Sequence, residues 1–227
     1  MYPLTNTPLP ATTPATTPAT TPATAPAAVH DLRFARLMGI AAWKRLKPSV
    51  RRRFSHHTSA KATVVYEGQT THMTTSGLGK ALAFLTRAFG GPLPTGVNEG
   101  DDATVVVHDN SDGVTQTWTR VYHRNNGTPQ IIYSTKCFHP EGGLEERVFG
   151  RLSMTLDVTE RDGNLVFNSS AYFLRIAGLR LRLPHWTGPG ALEITHEDID
   201  GTAFDFGLVL THPVFGELIR QTIRFED

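Results

Sequence analysis

The residues best suited to chemistry lie in one stretch, residues 114–122 with the sequence VTQTWTRVY. Side chains alternate between the two faces of an extended strand, so four of them share one face: Gln116, Trp118, Arg120 and Tyr122. Arginine is rarely buried without a partner. A face that combines an indole, a guanidinium and a phenol therefore predicts either a cavity with a polar floor or a buried ion pair.

Glu146 is the carboxylate that this arginine needs, because it lies on a predicted strand close to that of Arg120. The predicted ligand-binding residues are thus Trp118, Arg120, Tyr122 and Glu146. In one interpretation Arg120 grips a carboxylate or phosphate of a ligand while Trp118 stacks on it. In the other, Arg120 and Glu146 form a structural ion pair inside a barrel. The sequence leaves both open.

Other polar residues do not assemble into a reactive set. Cys137 has only His139 nearby as a base, and a small core thiol explains it as well. His196 and Asp198 share a strand face, but no third metal ligand accompanies them. His212 is explained as the corner of a tight turn. We predict no catalytic residue, no metal and no cofactor.

From about residue 102 the hydrophobic period changes from 3.6 to 2, which indicates strands. Short turns such as Asp200-Gly201 link them, and short links require antiparallel pairing. A sheet this long curls or closes. We predict an α+β, mostly antiparallel fold: a curved meander sheet or flattened barrel of eight to ten strands with two N-terminal helices. The candidate strands span residues 103–108, 114–122, 130–138, 144–149, 152–160, 165–176, 179–183, 191–199, 203–211 and 217–225, after a first short strand at 61–66.

Three helices are predicted in all. Asp31 is the expected N-cap of a helix that reaches about Leu46, and Pro48 opens a second helix through residue 54. Ser76 caps the third helix, which follows the first strand. Its apolar stripe is formed by Leu78, Leu82, Leu85 and Phe89.

The composition limits the kind of protein. The chain has 227 residues and a net charge of +1, which argues against nucleic acid as a partner. Residues 1–28 are rich in Pro, Thr and Ala and predict a disordered tail, whereas residues 31–227 predict a single globular β-rich domain. One cysteine excludes an intramolecular disulfide and favours the cytoplasm. The sequence contains no run of about 18 apolar residues, so no membrane span is predicted.

Several short motifs occur in a characteristic order. They are Leu46-Lys47-Pro48 followed by Val50-Arg51-Arg52-Arg53-Phe54; Trp118-Thr119-Arg120; Glu146-Arg147 with Gly150; Leu183-Pro184 followed by Gly188-Pro189; Phe204-Asp205-Phe206; and His212-Pro213 with Gly216. From about Leu37 to Phe225 the chain resembles a family of bacterial domains of unknown function. These domains are commonly the C-terminal partner of saccharopine-dehydrogenase-like, NAD(P)-binding domains. The resemblance implies a fold but no activity, and no G-x-G-x-x-G motif brings a cofactor site with it.

Three functions follow as hypotheses. The first is a cup that binds a mostly apolar, hydrophobic or amphipathic small molecule whose anionic or polar end contacts Arg120. The second is an interaction domain that docks onto a separately encoded NAD(P)-dependent reductase. The third is an enzyme of unknown reaction. A void of some hundreds of Å³ would favour the cup, and a filled barrel would favour the docking domain.

Overall fold

The computed structural model describes residues 29–57, 63–125, 127–148, 151–176, 179–184 and 188–226, so the predicted tail at 1–28 lies outside the described residues. Within this part the strands are β1 Val29–His30, β2 His56–His57, β3 Thr63–Thr75, β4 Asp102–Asp109, β5 Thr115–His123, β6 Gln130–Phe138, β7 Leu144–Val148, β8 Leu152–Arg161, β9 Asn164–Ile176, β10 Leu179–Leu183, β11 Ala191–Asp198, β12 Ala203–His212 and β13 Gly216–Glu226. The helices are α1 Arg33–Met38, α2 Ile40–Arg45, α3 Pro48–Ser55 and α4 Gly77–Leu85, followed by a 3-10 helix Thr86–Phe89.

Ten antiparallel strands form a closed barrel. They follow the order β9-β11-β12-β13-β3-β4-β5-β6-β7-β8, and pairing of β8 with β9 closes the ring. Strand β3 is the first barrel strand along the chain and β13 is the last. The two pair through residues 68–75 and 219–225. The predicted curved sheet or flattened barrel, mostly antiparallel, is therefore confirmed in outline.

The expected simple meander is wrong at β10. Strand β9 has 13 residues, and its first part pairs with β11 while residues 172–176 pair with β10 on the same edge. The end of β9 and β10 form a hairpin on this edge, while the other edge of β9 pairs with β8 through residues 164–174. β11 then takes the neighbouring position in the barrel. Strand β3, which corresponds to the first predicted strand, also runs to Thr75, well past the predicted end at residue 66.

The predicted N-terminal helix is interrupted at Gly39, so three short helices precede the barrel where two were expected. Gly39 has φ +83° and ψ 148°, a conformation that glycine alone adopts readily. Asp31 is not the N-cap residue, because Leu32 occupies that position. The Asp31 carboxylate instead accepts a hydrogen bond from the Arg33 backbone N–H over 2.8 Å.

Helices α1 and α3 insert aromatic side chains into one end of the barrel. The Phe34 ring lies edge-on to Phe138 and Phe167, with centroids 5.1 and 6.0 Å apart, and also contacts Phe54 of α3. Val50 of α3 is fully buried beside them. These helices therefore cover one opening of the barrel with apolar groups.

Helix α4 packs against strand β13. Ser76 caps it as predicted, since its hydroxyl accepts a hydrogen bond from the Gly79 N–H. The predicted apolar stripe is wrong at Leu78 and Leu85, which are exposed, whereas Leu82 packs against the core and the side chain of Phe89 lies outside the described part. The buried residues of the helix are Gly79 and Ala83. Small residues face β13 because the helix approaches its backbone closely. Among the described residues no helix is both long and apolar enough to cross a bilayer.

Candidate functional site

The inner face of β5 carries the predicted site residues. Residues 116–122 alternate between buried and half-buried, and the buried set is Gln116, Trp118, Arg120 and Tyr122. The Trp118 ring lies 6.2 Å from the imidazole of His196, which comes from β11 across the barrel. The indole, the guanidinium and the phenol thus all point into the barrel.

Arg120 and Glu146 form a buried ion pair. Arg120 Nη2 donates to Glu146 Oε1 over 3.0 Å, and both side chains are at least nine-tenths buried. Lys136 of β6 donates from Nζ to Glu146 Oε2, also over 3.0 Å. The cluster contains two cations and one carboxylate, so it carries a net positive charge when all three groups are ionised. The Nε of Arg120 is buried without a hydrogen-bond partner in the described part of the chain.

The protonation of this cluster follows from its burial. Burial alone would raise the pKa of Glu146, but Lys136 and Arg120 hold that pKa at about 2. Burial lowers the pKa of Lys136, and the Glu146 carboxylate partly opposes this shift. Glu146 is therefore ionised throughout the neutral range and fixes the position of both cations.

Sequence reasoning missed Lys136. It shares the inner face of β6 with Ile132 and Ser134, and it lies directly opposite Glu146 in the β6–β7 register. Its Nζ also lies 4.4 Å from the centroid of the Trp118 ring, in a cation–π arrangement. The alternation of residues 130–138 could have indicated this lysine, because it places a charge on the same face as Ile132 and Phe138.

A chain of hydrogen bonds connects Trp118 to helix α1. Trp118 Nε1 donates to Gln116 Oε1 over 3.0 Å, and Gln116 Nε2 donates to Asp109 Oδ1 over 3.1 Å. Arg33 of α1 bridges Asp109 and Asp31 through its guanidinium. The indole is thus oriented from the end of the barrel that α1 covers.

Tyr122 lies apart from the other predicted residues. It is fully buried, and its hydroxyl donates to Gln221 Oε1 of β13 over 3.1 Å. Burial raises the pKa of this phenol. Tyr122 lines neither of the two cavities described next, so it contributes to the packing of the barrel.

In the described part of the chain, two cavities lie within the barrel. The arginine cavity, of about 60 Å³, has Arg120 and Glu146 in its wall, together with Tyr172 and a largely apolar remainder. The loop after α4 contributes Leu93. The other apolar residues that line it are Pro92, Val148, Leu152, Met154, Pro189, Leu192, Ile194, Leu208 and Leu210.

The aromatic cavity, of about 50 Å³, lies at the end of the barrel that helices α1 and α3 cover. Trp118 and His196 belong to its wall, and Asp31, Asp109 and Arg53 are its charged residues. The other residues that line it are Phe34, Phe54, Val64, Tyr66, Val105, Val107, Gln116, Phe204, Phe206 and Phe225. Along β5, residues 116 and 118 thus face this cavity, whereas residue 120 faces the arginine cavity.

Both cavities are much smaller than the hundreds of Å³ expected for a drug-sized ligand, so their volume does not favour a cup for a ligand of that size. One water molecule needs about 10–15 Å³ on this scale, so each cavity has room for roughly four waters. With the walls in these positions, either cavity fits only a very small molecule. The structure therefore brings Arg120 and Glu146 together at one cavity and places Trp118 at the other.

His196 and Cys137 are both buried. No three His, Cys, Asp or Glu side chains of the described residues are grouped to hold a metal ion. Cys137 is buried, and burial raises the pKa of its thiol. The turn predicted after His212 is present, and its imidazole stacks on Phe215 with a centroid distance of 4.8 Å.

Comparison with known proteins agrees with the resemblance seen in the sequence. No curated protein and no solved structure matched the chain. A family model, described as a domain of unknown function (DUF4166), matches residues 46–225, which include all of the barrel except its last residue. The expected resemblance to a family of unknown function is confirmed at this level, and fusion to saccharopine-dehydrogenase-like domains stays a prediction. The chain belongs to the DUF4166 family.

Proposed function

We propose that the barrel binds a small, mostly apolar molecule with an anionic end, and that the arginine cavity holds it. The main support is the position of Arg120, whose guanidinium is buried in the wall of an otherwise largely apolar cavity. Its Nε has no hydrogen-bond partner among the described residues. A buried donor without a partner is costly, and a ligand carboxylate would satisfy it with a charge-assisted hydrogen bond.

The charge of the cluster favours an anion over a neutral ligand. Glu146 is shared between Arg120 and Lys136, so one positive charge is not balanced within the cluster when Lys136 is protonated. An anionic group beside Arg120 would complete the balance in a region where water is largely excluded. Glu146 then acts as a positioning residue, and Trp118 acts indirectly through its contact with Lys136.

The cavity volume sets the size of the ligand. About 60 Å³ accommodates a carboxylate of roughly four to six non-hydrogen atoms without movement of the walls. A longer chain requires displacement of Leu93 or another part of the loop after α4. The ligand class is therefore a short-chain aliphatic carboxylate.

The experiment is a thermal-shift and calorimetric titration of the full chain with acetate, butyrate and hexanoate. Butyramide, which has the shape of butyrate without its charge, is the matched control ligand. We expect butyrate to raise the unfolding midpoint and butyramide to leave it unchanged. Arg120→Met should weaken butyrate binding by roughly ten- to a hundredfold, because it removes a charge-assisted hydrogen bond of about 1.5–3 kcal/mol.

The control variant is Tyr122→Phe, which removes a buried hydroxyl that lines neither cavity. It should bind butyrate as the wild type does. Arg120→Lys keeps the charge and should retain part of the binding. The proposal fails if no carboxylate stabilises the wild type, or if Arg120→Met and Tyr122→Phe respond alike.

A second candidate is a domain that docks onto a separate NAD(P)-dependent reductase. The observation that favours it is β10, which among the described strands pairs with β9 alone. Its Leu179 and Leu181 are exposed, as is Ile176 beside them. An uncovered edge strand with exposed apolar residues is a common site of strand addition. Pull-down from the native cytoplasm should recover an oxidoreductase with the wild type and lose it with Leu181→Lys; recovery of none argues against docking.

A further inference from the structure

His196 is a buried polar residue inside the barrel that forms no ion pair or hydrogen bond with Arg120, Lys136 or Glu146 in the described part of the chain. Its side chain is about 96 % buried, and no described residue forms a hydrogen bond with its Nδ1. Burial lowers the pKa of His196 well below its ordinary value, and the nearby cations Arg53, Lys136 and Arg120 lower it further. The imidazole is therefore neutral, and in the tautomer that carries its proton on Nε2 the unpartnered Nδ1 accepts a hydrogen bond.

Aromatic rings surround this imidazole. The ring of Phe204 stacks on it with planes 23° apart, and Phe54 and Phe206 meet it edge-on at centroid distances of 4.9 and 5.3 Å. Trp118 completes the group from β5. Such walls favour a flat aromatic guest, which can stack or pack edge-on against several rings.

The charges near the cavity balance one another. Asp31 and Asp109 both bind Arg33, and the Arg53 guanidinium lies 3.7 Å from the centroid of the Phe204 ring. These two carboxylates and two guanidinium groups give no net charge, and Lys136, whose Nζ lies 4.4 Å from the centroid of the Trp118 ring, is paired with Glu146. The aromatic cavity therefore lacks the excess positive charge of the arginine cavity, and its electrostatics suit an uncharged guest.

We propose that the aromatic cavity is a separate binding site for a small, uncharged aromatic molecule that carries an N–H or O–H donor. The guest lies among Phe54, Trp118 and Phe204, and its donor bonds to His196 Nδ1. A volume of about 50 Å³ limits the guest to a single small ring. No residue lines both this cavity and the arginine cavity.

The test compares two probes of the same shape, pyrrole and furan, in calorimetric titrations of the full chain. Pyrrole has a ring N–H donor and furan has none. We expect pyrrole to bind roughly three- to tenfold more tightly, the factor given by one net hydrogen bond. Equal binding of the two probes, or binding of neither, would overturn the proposal.

Three variants test whether His196 accepts the hydrogen bond from pyrrole. His196→Phe replaces one flat ring by another and removes the acceptor, so the preference for pyrrole should vanish while furan still binds. Arg120→Met should keep the pyrrole preference and lose only butyrate, which separates this proposal from the carboxylate site. Tyr122→Phe is the control that should change neither. A pyrrole preference that survives in His196→Phe would show that the donor does not meet His196.

Discussion

Lys136 and Glu146 face each other across the β6–β7 hairpin, and the lysine Nζ lies 3.0 Å from the glutamate Oε2 inside the barrel. The other carboxylate oxygen accepts from Arg120 on β5. One carboxylate thereby connects three consecutive strands. Buried ion pairs add little stability compared with apolar residues of the same size, but the loss of one partner is severe.

Glu146→Gln should be strongly destabilising, because it leaves Arg120 and Lys136 buried without a counter-charge. We expect a loss of about 3–5 kcal/mol in the free energy of unfolding, measured by urea denaturation. Glu193→Gln is the matched control, since Glu193 pairs with Arg161 at the surface. That exposed pair should contribute no more than about 1 kcal/mol. Equal losses for the two variants would contradict a buried role for Glu146.

The difference in stability between the wild type and Glu146→Gln should depend on pH. The pKa of Glu146 is about 2 in the folded chain, below the ordinary value of 4.5, so folding favours its ionised form. This contribution is complete above pH 4.5 and is lost as the pH falls towards 2. Its size is about 3 kcal/mol, from 1.36 kcal/mol for each pKa unit. Urea denaturation of both proteins between pH 7 and pH 3 measures it, and a constant difference would contradict it.

His196 adds a separate acid sensitivity at milder pH. Its pKa is lowered by burial, so the unfolded chain takes up a proton near pH 6.5 while the folded chain stays neutral. Stability from this group is therefore present above pH 6.5 and declines as the pH falls from there. His196→Phe should flatten the stability profile between pH 7 and pH 5, measured by thermal denaturation. An unchanged slope would mean that His196 does not remain neutral in the fold.

The sequence predicted the β5 face well, because alternation over residues 114–122 is a local property of one strand. The pairing of Arg120 with Glu146 also followed, since short links place β5, β6 and β7 side by side. The meeting of Trp118 and His196 could not be predicted, because it depends on how the barrel closes between β8 and β9. Pattern alone likewise gave no sign of the break at Gly39, where a backbone angle decides the end of α1.

Helix α4 offers a test of close packing beside the arginine cavity, because a Cβ on Gly79 would collide with the backbone oxygen of Leu218 on β13. Gly79→Ala must push the helix away from the barrel, and overpacking of this kind costs roughly 1–3 kcal/mol. For a chain of this size each kcal/mol lowers the unfolding midpoint by about 2–4 °C. Gly77→Ala is the matched control: it lies in the same helix, its added methyl would meet no atom within 4 Å, and it should be neutral or slightly stabilising. Thermal denaturation of the two variants decides, and similar midpoints would mean that α4 does not pack on β13 as described.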